Sequence, residues 1–470
     1  MKVAVEERKG VVTLLFRGCF IQWAAPPDCL GGRIIPNIVT LAIGIVLWST
    51  SRYCMQIVTE GSYFMLSYEQ ARQIVLENIT SAGIEQADLV DAIGRVLVED
   101  IVAPWDMPLW DNSAMDGYAV RSADCNQTPC KLKVTGYIPA GARADGIEVK
   151  AGCAVKIMTG APIPSGADAV VPFEETEETS GEQVVIQASV VMRQHIRFRG
   201  EDVRAGQSVI TAGTIIRPPE VSMLASLGRS RVPVFLRPVV AVLSTGDELI
   251  EVGRTPAAGE IINSNTLALA AAVREAGGIP RIIGIARDNL ESHRDKLREG
   301  LKADMLVTSA GVSAGDRDLV RVVLEELGVK QVFWKVGIKP GKPTAFGVKD
   351  GKPVFSLPGN PVASLITFEE FVRPALLRMM GQRQVLRPTF RALLREDVKN
   401  RESDRTILLR IRLEREGGQF FAAPSGKQQT GLLKTMVNSA AIAVIPPGRS
   451  FMAAGEEVDV HFFGSHIDLI

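Results

Sequence analysis

The stretch VFSLPGNPVASL, residues 354–365, decides how the middle of the chain folds. A short apolar run ends at a Pro-Gly-Asn-Pro tetrapeptide, and a helical pattern with Pro361 in its first turn follows. This order predicts a buried strand that passes through a sharp turn into a helix. Such a turn either changes only the direction of the chain or also presents backbone N–H groups to a negatively charged ligand.

Alternating strand and helix patterns surround this stretch, from residue 239 to residue 380. The fully apolar run VVAVL is typical of a parallel strand that is covered on both faces, and RIIGI, DMLVTS, QVFWKV and PVFSL are further predicted strands. A helical pattern between the first two runs begins at Asn263 or Ser264 and ends at Gly277 and Gly278. Repeated β-α alternation predicts a doubly wound α/β domain over residues 239–380.

Composition divides the rest of the chain, which at 470 residues is too long for a single core. Residues 65–232 mix one or two helices with short β-rich pieces, and residues 387–470 are β-rich again. The 53 basic and 53 acidic residues cancel, which disfavours a duplex nucleic acid as partner. The six cysteines show no CxxC or Cys/His metal spacing, so neither a zinc site nor a disulfide framework is indicated. We therefore predict a multidomain, reduced, cytoplasmic protein.

Residues 1–64 differ in composition from the residues that follow. The segment IIPNIVTLAIGIVLWSTS, residues 34–51, carries no charge, but its length is borderline for a membrane span and its Pro-Asn pair weakens that interpretation. The segment also lacks the order of a signal peptide. We therefore expect an extension that is disordered or foreign to the native chain, and no membrane anchor. The functional chain is expected to begin near Met65, ahead of a helix capped by Ser67.

Four loops should meet at one edge of the predicted sheet, because ligands bind beyond the carboxyl ends of parallel strands. These loops are STGDE (244–248), ARDN (286–289), SAGVSAGDRD (309–318) and PGNP (358–361). Their acids are Asp247, Glu248, Asp288, Asp316 and Asp318. Carboxylates beside an amide nest repel a phosphate unless a cation lies between them, and Mg²⁺ suits that position. The pattern favours a phosphorylated or nucleotide-bearing substrate with Mg²⁺.

Each of these features also has a purely structural interpretation. Asp316 or Asp318 equally fits the cap of a helix that begins near Leu319. Lys339 and Lys342 in IKPGKP suit an oxyanion, but lone lysines of this kind are usually solvated. The placement of four such loops on one edge favours the functional interpretation.

The first region contains three further polar stretches. PLWDNSAMDGYAV (108–120) holds two aspartates between apolar neighbours, either for chemistry or as an Asx-turn. KIMTGAPIPSGADAVV (156–171) contains Thr159 before a proline-rich turn. RQHIRFRGEDV (193–203) carries three arginines, which suit either an oxyanion or a solvated surface strand. Local patterns leave both interpretations open for each stretch.

Seven motifs occur along the chain in the order DNSAMDGYAV, IMTGAPIP, RGED, STGDEL, GVSAGD, KPGKP and LPGNPV. Together they closely resemble the molybdopterin molybdenumtransferase family, the molybdenum insertases of molybdenum cofactor biosynthesis, to which the insertase domain of gephyrin is related. The resemblance runs from about residue 65 to the C-terminus and does not include residues 1–64.

The resemblance implies an activity and an architecture. Family members insert molybdenum from molybdate into adenylylated molybdopterin, with Mg²⁺ and with release of AMP. The expected fold is a doubly wound α/β pterin-binding domain, an elongated N-terminal arm with a β-rich subdomain, and a small C-terminal β-barrel. Family members are homodimers whose cleft combines the α/β domain of one subunit with the β-rich subdomain of the other. The adenylyltransferase of the same pathway and apo-molybdoenzymes are further partners that the resemblance implies.

Residue roles carry over motif by motif. The resemblance implies catalytic roles for Asp116, Thr159, Asp202, Glu248 and Asp318. It implies metal contacts for Asp288, Asp316 and Asp318. The implied substrate-binding residues are Arg197, Ser313, Lys335, Lys339, Lys342, Pro358, Pro361 and Ser364.

The sequence departs from the family pattern at a few positions. Ala310 replaces a glycine, a small change that is expected to fit, and Asp316 stands where glutamate is common, which shortens any metal contact by one methylene. In GKQQTGLLKTM, Thr430 and Thr435 occupy positions that are usually serine. Two alternatives stay open, namely the adenylyltransferase of the pathway, which shares the α/β domain, and a non-catalytic scaffold like that of gephyrin.

Overall fold

A computed structural model describes residues 4–8, 11–16, 19–24, 65–179, 182–311, 319–400 and 404–464. The chain forms two compact units, Met1–Phe64 and Met65–Ile470. The first unit contains a meander of three antiparallel strands, β1 (Ala4–Arg8), β2 (Val11–Phe16) and β3 (Cys19–Ala24). The uncharged segment 34–51 lies outside the described residues, so the expected disordered or foreign extension stays a prediction. No helix within the described part of the chain is long and apolar enough to cross a membrane.

Helix α1 (Tyr68–Glu77) opens the second unit. Its predicted cap is confirmed, because the Ser67 hydroxyl accepts a hydrogen bond from the Gln70 N–H at 3.2 Å and the Gln70 side chain accepts one from the Ser67 N–H at 3.0 Å. Tyr68, Ala71 and Val75 follow at helical spacing and are buried. The helix therefore packs along one face, against the core that also covers one side of the α/β sheet.

Residues 84–235 fold into small sheets. Their strands are β4 (Ile84–Asp88), β5 (Ile101–Val102), β6 (Asn112–Ser113), β7 (Gly117–Val120), β8 (Cys130–Ile138), β9 (Cys153–Ile157), β10 (Ala169–Pro172), β11 (Thr176–Glu178), β12 (Gln183–Ile186), β13 (Ile196–Arg197), β14 (Ser208–Ile210) and β15 (Arg231–Phe235). The pairs β4–β15, β5–β14 and β6–β13 join early strands to late ones, so the chain runs out along these ladders and returns. Between the two passes, six strands form a mixed sheet in the order β10-β7-β9-β8-β12-β11, and helix α2 (Pro218–Ser226) lies on the return.

The predicted α/β sheet is confirmed. Residues 239–357 contain β16 (Val239–Thr245), β17 (Leu249–Ile250), β18 (Ile261–Ile262), β19 (Ile279–Ala286), β20 (Met305–Ser309), β21 (Lys330–Phe333), β22 (Ile338–Lys339), β23 (Ala345–Lys349) and β24 (Lys352–Leu357). Six of them form one sheet in the order β19-β16-β20-β24-β23-β21, in which the first four strands are parallel and β23 runs antiparallel to both of its neighbours, β24 and β21. Strand β23 is not predicted from the sequence, because a segment of five residues with a central glycine has little strand signal.

Helices cover both faces of this sheet. They are α3 (Ser264–Glu275), α4 (Leu290–Gly300), α5 (Leu319–Glu326), α6 (Pro361–Thr367) and α7 (Arg373–Met379). Neighbouring strand residues point to opposite faces, so Val242 joins the core under α3, α6 and α7, and Leu243 joins the core under α4 and α5. A π-helical turn, Phe368–Val372, joins α6 to α7, so the long helix predicted here is continuous. Pro374 explains this turn, because it has no N–H to bond the carbonyl of Glu370.

The C-terminal region forms the predicted β-barrel. Its elements are β25 (Phe390–Leu394), β26 (Val398–Lys399), β27 (Thr406–Glu416), β28 (Gln419–Pro424), α8 (Lys434–Val437), β29 (Ala441–Ile445), β30 (Phe451–Met452) and β31 (Glu457–Phe462). Five strands close on themselves in the order β27-β28-β25-β31-β29 and back to β27. Leu409, Ile411 and Val460 are among the buried residues that fill the barrel.

The barrel and the α/β region share buried contacts. Strand β22 pairs with the start of β27, and Leu408 packs into the core that contains Ile338. Nearby, Nε2 of His461 lies 3.0 Å from Oε1 of Glu370, and the Tyr68 hydroxyl donates a hydrogen bond to the same carboxylate. Burial disfavours the charged imidazole, but the Glu370 carboxylate outweighs it and raises the pKa of His461. One buried carboxylate therefore joins the barrel, the π-helical turn and α1.

Replacing His461 with glutamine should lower the free energy of unfolding by about 3 kcal/mol at pH 6, because the buried Glu370 carboxylate loses the cation that it contacts directly. Because folding raises the pKa of His461, the charged imidazole stabilises the folded state fully below pH 6.5, the ordinary pKa of histidine. This stabilisation is lost as the pH rises through the pKa of the folded state. The difference in free energy of unfolding between wild type and variant, measured by urea denaturation, should therefore narrow from pH 6 to pH 9. As a control, Arg391→Gln removes an exposed ion pair with Asp459 and should cost less than about 1 kcal/mol at each pH. A gap that is independent of pH would contradict a charged pair.

Candidate active site

The described parts of the four predicted loops lie together at one edge of the α/β sheet. Strands β16, β19, β20 and β24 are parallel and end in register, with Thr245 beside Ala286 and Ser309 beside Leu357. The chain places β19 on one side of β16 and β20 on the other. The carboxyl ends of β16 and β20 therefore form the switch point at which ligands bind in sheets of this kind.

Two of these loops are bonded to each other through their acids. The Asp247 carboxylate accepts a hydrogen bond from the Asp288 N–H at 3.1 Å, and the Asp288 carboxylate accepts one from the Asp247 N–H at 3.4 Å. The guanidinium of Arg287 donates to the carbonyls of Gly246, Asp247 and Leu249. These contacts fix STGDE against ARDN and hold two exposed carboxylates side by side.

These acids offer carboxylate oxygens, the kind of ligand that Mg²⁺ prefers. Asp247 and Asp288 each use one oxygen for a backbone N–H, and the second oxygen of each accepts no hydrogen bond from a described residue. The Glu248 carboxylate lies close to Gly246, whose φ is 142°, and an added Cβ there would come within 2.4 Å of the Glu248 Oε2. Gly246 is therefore required for this arrangement.

The remaining predicted ligands of this site lie outside the described residues. Ser313, Asp316 and Asp318 belong to residues 312–318, so their assignment to substrate, metal and catalysis stays a prediction. No group of three or more His, Cys, Asp or Glu side chains that could hold a metal ion occurs within the described part of the chain. Asp247 and Asp288 alone would leave most positions of a Mg²⁺ shell to substrate and water, which is how this ion is commonly held.

Asn265, in the first turn of α3, bridges the other two loops. Its side-chain amide donates to the Ser309 hydroxyl at 2.7 Å and to the Gly359 carbonyl at 2.8 Å. One amide therefore sets the spacing between the end of β20 and the PGNP turn. The turn approaches Ala310 closely, since a Cβ added at Gly359 would lie 3.1 Å from the Ala310 Cβ. Ala310 fits as expected, but with φ 75°, in the left-handed region that favours glycine.

Replacing Asn265 with alanine should raise the KM for the pterin nucleotide that the family resemblance implies by about thirtyfold and change kcat less. Two hydrogen bonds that position substrate loops are lost, and each is worth about 1 kcal/mol. Leu267→Ala is a matched control, because Leu267 lies on the same helix with 48% of its surface exposed. Steady-state kinetics that show equal changes for both variants would assign Asn265 to helix stability alone.

The lysine-bearing loop reaches the same edge from the neighbouring strand. β23 runs antiparallel to β24 with Ala345 opposite Ser356, so the residues before β23 lie beside the carboxyl end of β24. Lys339 is exposed, and Lys335 and Lys342 are half-buried. The structure therefore brings the KPGK loop, which contains Lys339 and Lys342, next to the PGNP turn.

The PGNP turn itself contributes backbone and one buried hydroxyl. Pro361 is the first residue of α6, and Pro358 directly follows β24. Ser364, in the first turn of α6, is buried, and its hydroxyl has no hydrogen-bond partner among the described residues. Because a buried hydroxyl normally has a partner, a ligand or water atom at this position would satisfy it.

Arg410 is a candidate anion-binding residue that no motif in the sequence indicates. It lies on β27, is 0% exposed, and alternates with the residues that fill the barrel. Its Nε donates to the Thr435 hydroxyl at 2.9 Å, and its Nη2 donates to the carbonyls of Lys427 at 3.3 Å and Gln429 at 3.2 Å. Its Nη1 has no partner among the described residues, and burial lowers the pKa of Arg410. A buried cation is costly unless an anion accompanies it, so Arg410 marks an anion position.

A second cluster forms in the β-rich part of the first region. Oδ1 of Asp116 accepts hydrogen bonds from the N–H and from the hydroxyl of Thr159, each at 2.7 Å. The N–H and then the hydroxyl hold the pKa of Asp116 below its ordinary value, so this carboxylate is ionised at neutral pH. Ser113 exchanges backbone hydrogen bonds with Gly160 and Ala161, which ties the two loops together.

The third stretch of this region lies beside the same cluster. Arg197 is exposed on β13, opposite Asn112 of β6, and Asp202 is exposed farther along the chain. Arg199 instead pairs with Asp106, with its Nε 2.6 Å from Oδ2. The arginines of RQHIRFRGEDV therefore do not all serve one anion, and Arg199 has a structural role.

The predicted site residues thus form two groups in the described part of the chain. The hydrogen bonds of Asp116 and Thr159 stay within residues 106–205, and those of Asp247 and Asp288 stay within residues 244–292. The first group offers an ionised carboxylate and a hydroxyl, and the second offers carboxylates, amides and lysines. Such a combination can bind a phosphorylated ligand with a divalent cation and a second anion.

Comparison with known proteins identifies the family. Three models match consecutive segments, namely the MoeA N-terminal region (domain I and II) at residues 66–228, the probable molybdopterin binding domain at residues 241–378, and the MoeA C-terminal region (domain IV) at residues 391–463. Molybdopterin molybdenumtransferase 2 of Mycobacterium tuberculosis (strain CDC 1551 / Oshkosh) is 36% identical over 408 residues, which cover 84% of this chain and 99% of that protein. The chain belongs to the molybdopterin molybdenumtransferase family.

Other molybdopterin molybdenumtransferases and a solved structure agree with this assignment. The enzyme of Haemophilus influenzae is 36% identical over 402 residues, which cover 85% of this chain and 99% of that protein. The crystal structure of the molybdopterin biosynthesis moea protein from Pyrococcus horikosii matches with a TM-score of 0.74 and 32% identity, and it covers 86% of this chain and 100% of that one. The resemblance found in the sequence and the multidomain α/β and β-barrel fold are therefore confirmed.

Proposed function

We propose that the chain transfers molybdenum from molybdate to adenylylated molybdopterin and releases AMP. The observation that carries this proposal is the shared edge of the α/β sheet, where the bonded pair Asp247 and Asp288, the PGNP turn and the KPGK loop lie together. Both substrates are anions, and this edge offers one group of donors near its carboxylates and another near its lysines. The names of the curated relatives support the same activity.

The carboxylate end of the edge suits the pterin nucleotide. The backbone of the PGNP turn can approach phosphate oxygens, because Gly359 and Asn360 are exposed. Mg²⁺ held by Asp247 and Asp288, and by Asp316 or Asp318, would offset the charge of the phosphates while the phosphoanhydride bond breaks. Arg287 and Asn265 keep the loops at a fixed spacing, so catalysis at this end is mainly positioning and electrostatic stabilisation.

The lysine end suits molybdate, a tetrahedral dianion. Lys339 and Lys342 supply positive charge, and Ser364 supplies a hydroxyl without a partner in the described part of the chain. Arg410 lies on β27, three residues beyond Ile407, which pairs with Lys339 of β22. We therefore add Arg410 to the residues that bind molybdate.

A defined assay tests the proposal. Pure protein is mixed with adenylylated molybdopterin, Mg²⁺ and molybdate, and both AMP release and the reconstitution of an apo-molybdoenzyme are measured. An insertase produces AMP and active molybdoenzyme from this mixture. An adenylyltransferase would instead form adenylylated molybdopterin from ATP and molybdopterin, and that result would overturn the proposal.

We further propose that the chain works as a homodimer, with the cleft built from the Asp116 group of one subunit and the Asp247 and Asp288 group of the other. Within the described part of one chain, the hydrogen bonds of each group stay inside that group, and this supports the arrangement. We place the domain boundaries at residues 65–232, 239–380 and 387–470, and the enzyme in the cytoplasm. The adenylyltransferase would supply the substrate, and apo-molybdoenzymes would receive the product.

Mixing two inactive variants should restore activity if the cleft is shared. Asp116→Ala damages one half of each site and Asp288→Asn the other, so a mixed dimer contains one intact cleft and one doubly damaged cleft. After co-expression, random pairing should give about one quarter of the wild-type rate per chain. Co-purification through two different affinity tags isolates the mixed dimer for the AMP assay. A mixed dimer as inactive as its parents would place both groups in one subunit's site.

A further inference from the structure

A cavity of about 600 Å³ lies where three parts of the second unit meet. The end of strand β15 contributes Phe235, and the segment that follows it contributes Arg237. Helix α3 contributes Ala271, and the helical stretch from α6 to α7 contributes Arg373. Arg387, in the segment that leads to the barrel, completes the wall. A volume of this size is typical of small-molecule sites. None of these residues belongs to the site assigned to molybdopterin or molybdate.

The cavity carries an excess of positive charge. Its charged lining residues in the described part of the chain are Arg95, Arg237, Arg373, Arg387, Glu275 and Glu369. Arg95 is paired with Glu85, which does not line the cavity, so three positive charges face two negative ones. This excess of arginines among the lining residues favours an anionic ligand.

Two of the guanidinium groups share a single carboxylate. Oε1 of Glu369 lies 2.7 Å from Nε of Arg387 and 3.6 Å from Nε of Arg373. Arg373 also donates from Nη1 to the Val385 carbonyl at 3.1 Å. The other N–H groups of both guanidinium groups bond to no described residue, and burial lowers the pKa of Arg373. Adjacent donors of this kind match the fork geometry by which arginine binds an oxyanion.

Apart from Gln382, the other side chains of the lining are apolar. Phe235, Phe368 and Phe463 contribute aromatic rings, and Ala271 and Ala272 leave open space above α3 because their side chains are small. We propose that this cavity binds a small organic anion with an aromatic body, the anionic group at Arg373 and Arg387 and the ring against the alanine face of α3. A carboxylate, a sulfonate or a phosphate ester supplies the required charge.

The cavity also contacts the helices that carry the catalytic loops. Asn265 precedes Ala271 by six residues on α3, which corresponds to about 9 Å along the helix axis. Pro361 begins the helical stretch that contributes Arg373. A ligand in the cavity therefore touches both helices whose first turns hold the PGNP turn and the end of β20. This is the position of an effector site rather than of a second catalytic site.

Fluorescence titration with the arylsulfonate anilinonaphthalenesulfonate tests the proposal. The wild-type protein should bind one equivalent saturably. Ala271→Trp fills the space above α3 at a position that is already exposed, and it should weaken binding by about tenfold or more. Ala225→Trp is the matched control, because Ala225 is an exposed helical alanine on α2 outside the cavity, and it should bind as the wild type does. Equal binding by both variants would overturn the proposal.

A second comparison separates charge from apolar burial. Phenylnaphthylamine has the same rings without the sulfonate, and it should bind about tenfold more weakly than the arylsulfonate. Arg387→Gln should remove this preference for the anion, because glutamine keeps a donor near Glu369 but loses the charge. Circular dichroism and melting temperature confirm that each variant is folded. A neutral analogue that binds as tightly as the anion would show that the arginines do not form an anion site.

Discussion

Replacing Asp288 with asparagine should reduce AMP release about a hundredfold while the protein stays folded. Asparagine keeps an oxygen that can accept the hydrogen bond from the Asp247 N–H, so the two loops remain joined. The substitution removes the charge that the proposed Mg²⁺ requires, and charge stabilisation at a transferring phosphoryl group is worth this much in rate. Initial rates of AMP release across a series of Mg²⁺ concentrations measure the effect, and the apparent Mg²⁺ requirement should rise.

The matched control lies at the opposite edge of the same sheet. Asp304 accepts a hydrogen bond from the Val239 N–H at 2.8 Å, as Asp288 does from its neighbouring loop. Asp304→Asn makes the same chemical change where β16 and β20 begin, far from their carboxyl ends. AMP release should be unchanged in this variant. Wild-type rates for Asp288→Asn at low Mg²⁺ would remove Asp288 from the metal site.

Replacing Arg410 with methionine should raise the KM for molybdate about a hundredfold and leave binding of the pterin nucleotide unchanged. The substitution removes a buried guanidinium whose Nη1 has no partner among the described residues, and a charged hydrogen bond to a dianion is lost with it. Methionine fills similar space, and the barrel interior lies on the other side of the strand. Molybdate titration of the insertion reaction and calorimetric binding of the pterin nucleotide separate the two effects.

Arg412→Met controls for the loss of a positive charge from the same strand. Arg412 is the next residue of β27 on the side that faces away from the barrel interior, and it is exposed. Its replacement should leave the KM for molybdate within about twofold of wild type, since an exposed charge in water contributes little. Equal effects in both variants would indicate general electrostatics rather than a molybdate contact. An unchanged KM in Arg410→Met would remove Arg410 from the site.

Local sequence signals predict the α/β sheet and its edge well. Each strand of the parallel group is an apolar run bounded by turn residues, and the edge rule then places Asp247 and Asp288 together although they are far apart in the sequence. The cap of α1 is readable for the same reason, because Ser67 and Gln70 contact each other within one turn. Predictions succeed here because the interactions are local or follow from a general rule of topology.

Interactions that depend on a long loop are not readable in this way. Arg410 lies in a strand pattern in which charged residues alternate with apolar ones, and such a pattern does not show which charges are buried. Its burial depends on residues 424–436, which fold back to supply carbonyls and the Thr435 hydroxyl. The contact of Asp116 with Thr159 spans 43 residues and has no periodic signal. The roles of Asp316 and Asp318 stay predictions, since these residues lie outside the described part of the chain.

The π-helical turn Phe368–Val372 has a consequence for related sequences. Its adjacent acids Glu369 and Glu370 face different partners, the first beside Arg387 and the second beside His461. A π-helical turn contains one residue more than an α-helical turn, so removing one residue can leave α7 in place as regular helix. Glu369 and Glu370 could then no longer both reach their partners. Related enzymes that lack the extra residue should therefore also lack one of these two ion pairs.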